Sequence, residues 1–190
     1  YYIEDDFDYW MEEGTAPENS AKSPLLVETI NGVEPLDGQF SVDVPKTVPD
    51  ALYKALFGQP EPTETEMGGA SAKVPALQTY VILDAAKVTN LPEMLETSQL
   101  EHRCFFKGEV YEDLKAVAPW VVRLEEGNTF SRNLFTQSNA PWHLCGREHG
   151  LYIRSRNSFE TMWRHLRKFT KIAGDTSGTS FLRYWGNSYA

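Results

Sequence analysis

The 190-residue chain reads as an α/β protein: a layered, mainly parallel mixed sheet with flanking helices, preceded by an acidic N-terminal extension that holds a candidate β-hairpin. Three observations carry that reading. From Leu77 onward, short β-rich runs alternate with helical segments, the order produced by strands joined through crossover helices. Hydrophobic residues make up 41% of the chain and charged residues 24%, enough apolar material to bury a core. Charge is unevenly divided: residues 1–75 carry a net −11, residues 76–190 a net +2, and residues 145–190 alone +5.

These balances exclude several classes. A charge asymmetry concerns partners and solubility rather than fold. The body is too weakly basic for a nucleic-acid reader. No apolar run approaches the ~18 residues of a membrane helix, and no secretory leader pattern is present. Two Cys exclude a disulfide scaffold and a four-Cys zinc site.

Three regions follow one another. Residues 1–47 form the acidic extension. Its first stretch, Tyr1 to Ser23, interleaves acids with aromatics, a pattern that suits either a solvated tail or a segment docking on a basic apolar surface. Leu25–Ile30 and the alternating Phe40, Val42 and Val44 flank the turn signal Asn31-Gly32, which predicts a hairpin over about 25–44. Residues 48–76 open with Pro49-Asp50 and a helix that places Leu52, Ala55 and Leu56 on one face and stops at Gly58. Gln59 to Pro75, rich in Pro, Glu, Thr, Gly and Ala, reads as a flexible linker or exposed loop.

Residues 77–190 form the body. Strands are expected at Thr79–Leu83, His102–Phe106, Trp120–Leu124, Leu151–Arg154 and Ser180–Trp185. Tyr80, Ile82, Phe105, Val121, Ile153 and Phe181 are expected among their buried residues. Helices are expected at Leu91–Ser98, Val110–Val117, Thr129–Gln137 and from the cap Ser158 to Ile172. In the last of these, Phe159, Met162, Trp163, Leu166, Phe169 and Ile172 recur at three-four spacing, a core-facing stripe. Arg164, His165, Arg167, Lys168 and Lys171 cover the remainder. That basic face is either solvated or a docking face for an acidic partner.

No catalytic constellation is complete. His143, Cys145 and His149 offer three metal-compatible side chains within seven residues, but zinc needs a fourth ligand. His102 and Cys104 share a strand face, yet a nucleophile pair also needs an orienting group and an oxyanion site. Cys104, beside Phe105 and Phe106, reads as an inert core thiol. Asp84 ends the first body strand, where α/β ligand sites lie, but an Asp there more often caps the next element. No phosphate-binding glycine loop follows a strand, and no nucleophile elbow is present. No catalytic, cofactor or metal residue is therefore assigned.

The order of seven pieces is informative as a set. They are Thr79-Tyr-Val-Ile-Leu-Asp-Ala-Ala-Lys87, Leu91-Pro-Glu-Met-Leu-Glu96, Leu100-Glu-His-Arg-Cys-Phe-Phe-Lys-Gly108 and Ala118-Pro-Trp-Val-Val-Arg-Leu124, then His149-Gly-Leu-Tyr-Ile-Arg-Ser155, Ser158 through Phe169, and Phe181-Leu-Arg-Tyr-Trp185. In that order they resemble the N-terminal lobe of the type VI secretion adaptor/chaperone family, long catalogued as a domain of unknown function. The resemblance covers residues 77–185. It departs after Trp185, where Gly186-Asn187-Ser188 stands in place of the Asp-Pro-Arg turn usual in the family, and the smaller helical C-terminal lobe of many members is not expected within these 190 residues. The resemblance implies a non-enzymatic bacterial cytoplasmic protein that binds a toxic effector and helps load it onto the VgrG spike. Trp163, Arg164, Arg167, Lys168, Arg183 and Tyr184 are the expected partner-binding residues. The alternative is a small hydrolase-like enzyme using Asp84 with His102 or His143. An enzyme needs a cleft where those groups converge, whereas an adaptor needs an exposed apolar patch.

Overall fold

A computed structural model describes residues 28–67, 74–147, 149–173 and 179–181. Its centre is β1 (Gln78–Asp84), whose side chains from Thr79 to Asp84 are buried. It is flanked by β3 (Pro119–Leu124) on one side and β4 (Gly150–Ser155) on the other, with β2 (His102–Cys104) beyond β3. The order is β2-β3-β1-β4, and every pair is antiparallel.

That arrangement corrects the expectation of a mainly parallel sheet. The reason lies in two crossovers that each skip a position. From β1 the chain passes through α3 (Leu91–Ser98) to β2, which runs parallel to β1 but is separated from it by β3. From β3 it passes through α5 (Thr129–Asn133) to β4, again parallel in direction but separated by β1. Strand–helix alternation thus survives while every neighbouring pair is antiparallel, as in split βαβ units. The continuous apolar run of β1 reflects a strand covered on both faces, a property that sequence pattern shares between parallel and antiparallel centres.

Strand alternation divides the core into two layers. Val81, Leu83, Trp120, Val122 and Leu124 face α3, α5 and the apolar side chains of Leu36, Val48 and Leu56. Tyr80, Ile82 and Val121 face α6 (Phe159–Lys168), meeting Phe159, Met162, Trp163 and Leu166 together with Phe105. Four of the six expected core residues, Tyr80, Ile82, Phe105 and Val121, are fully buried. Ile153 is half-buried on β4, and the side chain of Phe181 lies outside what is described.

Local signals set the helix starts. Asn128 accepts from the Phe130 and Ser131 amides at 2.8 and 3.2 Å, opening α5. Ser158 accepts from the Thr161 amide at 3.3 Å, opening α6. The α6 stripe ends earlier than its spacing suggests: Phe169 is exposed, and Ile172 belongs to a short strand, β5 (Lys171–Ala173), paired with β6 (Thr179–Phe181). Between β2 and β3 lies α4 (Glu109–Leu114), none of whose residues is buried.

The described part of the expected hairpin, residues 28–44, forms no strand ladder. Leu36 instead makes an isolated parallel bridge to Thr136. Gln39 and Ser41 take positive φ values of 45° and 62°, which breaks the extended run that Phe40, Val42 and Val44 would need. Leu25, Leu26 and Val27 lie outside the described residues, as does the stretch Tyr1 to Ser23.

The segment before the sheet is tied to it. Helix α1 (Asp50–Phe57) buries Leu56, whose carbonyl accepts from the Thr79 hydroxyl. Arg154 on β4 donates to the carbonyls of Ala55 and Gly58 at 2.7 Å each, satisfying groups that a helix C-terminus leaves open. Arg156 reaches Glu66 in α2 (Glu64–Met67) and the Pro75 carbonyl, both at 2.8 Å. The Gln59 amide closes a two-way bond with the Leu77 backbone at 2.9 and 2.8 Å.

Candidate docking surface

The edge strand β2 brings the chemistry of both layers together. Helix α6 aims Trp163 at the end of β2, where its indole N–H donates to the Cys104 carbonyl at 2.9 Å. The ring is only 2% exposed: it packs in the core layer beneath α6, and three cations lie against it. Lys107 Nζ lies 4.4 Å from a ring centroid, Arg103 Cζ 4.7 Å and Arg167 Cζ 5.6 Å. Such contacts contribute about 0.5–1 kcal/mol each at partly exposed sites. Arg167 is held by a 2.8 Å bond from Nε to the Phe105 carbonyl. Arg103 Nη1 and Arg164 Nε grip Glu160 at 2.5 and 2.7 Å, and these two guanidiniums hold the Glu160 carboxyl below its usual range.

Beside Trp163 the surface opens into a cleft of about 290 Å³. Phe106, Tyr111 and Trp120 supply its aromatic walls, Arg103 and Lys107 its cations, and Glu96 is the single carboxylate among the described residues lining it. Tyr111 meets Trp120 edge-on, with ring centroids 6.1 Å apart, and the Trp120 N–H donates to the Lys115 carbonyl at 3.1 Å. These contacts fasten α4 to the sheet. Next to Tyr111 along the helix, Val110, Leu114 and, in the turn that follows, Val117 stand at 46%, 39% and 48% exposure. Spacings of four and three place them in one stripe.

The expected partner-binding residues separate on this surface. Trp163 is a buried support rather than an open contact. Arg164 and Lys168 are exposed on α6, Arg167 is half-buried against β2, and Arg183 and Tyr184 lie outside the described residues. Arg103, Lys107 and the Val110–Leu114–Val117 stripe were not singled out by sequence reasoning. The three-four spacing of the stripe was readable, but whether it faced the core or solvent was not.

The groups of the hydrolase alternative occupy three settings. Asp84 is buried at the end of β1, where its carboxylate accepts from the Ala86 amide at 3.0 Å and turns the chain. His102 lies against the Trp120 ring and pairs with the Leu100 carbonyl at 2.7 Å. His143 bonds Ser138 Oγ at 2.6 Å in a loop that also carries the exposed Trp142. Cys104 is 3% exposed, and burial pushes its thiol up to about 11, so little thiolate forms near neutrality. His149 is buried, with Nδ1 on the Arg147 carbonyl and Nε2 2.9 Å from the Tyr152 hydroxyl. Burial holds that imidazole below its ordinary value.

No curated protein and no solved structure matches the chain. Residues 79–189, more than half of its length, match the family described as a domain of unknown function (DUF4123), and the chain belongs to that family.

Proposed function

We propose that this protein is a non-enzymatic adaptor of bacterial type VI secretion, acting in the cytoplasm, that binds a toxic effector and helps load it onto the VgrG spike. Family membership supports the role, since DUF4123 proteins are known as effector-loading adaptors. The observation that carries it in this chain is the exposed α4 stripe beside a cleft with cationic and aromatic walls. An apolar helical segment of the effector would bury its anchors against Val110, Leu114 and Val117, with acidic residues meeting Arg103 and Lys107 at the rim. The hydrolase alternative draws no support from the geometry, because Asp84, His102 and His143 belong to different settings.

The test is co-expression with the effector and the spike protein encoded beside it, each supplied separately. The reading expects the effector to co-purify without the spike. Failure of the effector to co-purify under either condition would overturn it.

A further inference from the structure

We infer that the acidic-aromatic arm at residues 1–13 of this chain docks in cis on the cationic-aromatic cleft at the β2 edge. The inference stands on charge and chain length and does not depend on the adaptor role. The arm carries Asp5, Asp6, Asp8, Glu12 and Glu13 among Tyr1, Tyr2, Phe7, Tyr9 and Trp10, with no basic residue. The cleft has the opposite character: Arg103 and Lys107 stand over the Trp163 ring, and Phe106, Tyr111 and Trp120 form its walls. Arg164 and Arg167 add positive charge along α6; Glu160, shared by Arg103 and Arg164, and Glu96 in the lining offset part of it, leaving the site net positive.

Complementarity of this kind needs both halves. Exposed ion pairs contribute roughly 0–1 kcal/mol each. Aromatic rings that stack at the walls supply apolar burial, about 25 cal/mol per Å². Interleaving the two residue types along one short segment lets rings enter while carboxylates meet the rim.

Reach is sufficient. From Glu13 to Glu28, the first described residue, the chain can extend by roughly 50 Å at about 3.4 Å per residue. A domain of this size has a radius of gyration of about 15 Å. A tether of that length holds the arm at a millimolar effective concentration, so modest intrinsic affinity fills the cleft. An incoming acidic partner would then have to displace the arm, which makes it a built-in competitor.

The test uses the full chain and the acetylation rate of individual lysines by an amine-reactive ester, read by mass spectrometry. Lys54, exposed on α1, is the internal reference for Lys107. At low salt Lys107 should react about tenfold more slowly than Lys54, the protection given by about 90% occupancy. High salt should remove most of the difference. So should the full-chain variant Phe7→Ser, Tyr9→Ser, Trp10→Ser, which leaves every described residue unchanged. Protection should be independent of protein concentration. Equal rates at low salt, or slow Lys107 acetylation that the arm variant leaves unchanged, would overturn the inference. Protection that rises with concentration would overturn the cis arrangement. Effector co-purification reads a different event, so either proposal can fail alone.

Discussion

Replacing Trp163 separates a support role from a contact role. The indole is buried between α6 and β2, its N–H bonds the Cys104 carbonyl, and three cations cover its face. Truncating a buried Trp to Ala costs about 3–5 kcal/mol. Leaving the Cys104 carbonyl unpaired costs about 1–3 kcal/mol in its own right. The two overlap, because water entering the cavity can reach that carbonyl, so Trp163→Ala should cost about 4 kcal/mol. Trp163→Phe keeps most of the ring and its cation contacts but loses the N–H, and should cost about 1–2 kcal/mol. Against a total stability of about 5–15 kcal/mol, the Ala variant loses a large fraction. Urea unfolding followed by far-ultraviolet circular dichroism measures both. A loss below about 1 kcal/mol for Trp163→Ala would refute the clamp between α6 and β2.

Gly150 pairs with Leu83, and a Cβ there would sit 2.0 Å from the Ile82 carbonyl oxygen, so Gly150→Ala should destabilise by about 2–3 kcal/mol in the same assay. His149 has its folded-state value lowered by burial, so the unfolded chain takes up its proton first as pH falls. Stability should therefore decline as pH drops below about 6.5, and His149→Gln should flatten that slope when urea midpoints at two pH values are compared. Glu160, also lowered, acts in the same direction but only below the ordinary carboxylate range, so the two windows are distinct. Cys104, pushed up to about 11 and buried, should resist a thiol reagent in the native protein and react once the chain is unfolded.

Much of the fold was legible because its signals are local. The Ser158 cap and the Phe159–Met162–Trp163–Leu166 stripe placed α6 and its buried face. The burial of Tyr80, Ile82 and Val121 followed from β-rich runs. What failed was non-local. Nothing within β1 states that β3 will insert between it and β2, so alternation alone could not exclude a parallel sheet. The described part of the expected hairpin forms no ladder, because positive φ at Gln39 and Ser41 overrides the alternation of Phe40, Val42 and Val44. On the candidate surface, the basic helix was visible but its principal neighbours were not. Arg103 and Lys107 approach Trp163 from a strand and loop some sixty residues earlier, and only the sheet register brings them there.

The adaptor reading rests on α4, so the decisive measurement is effector affinity of a full-chain variant carrying Val110→Ser and Leu114→Ser. Both side chains are exposed, and α4 buries none of its residues, so folding should be nearly unchanged. The account predicts that binding of the purified effector, measured by calorimetry, weakens by about tenfold or more, consistent with loss of apolar anchors at an interface centre. Unchanged affinity, in a variant whose unfolding midpoint matches the parent protein, would contradict it.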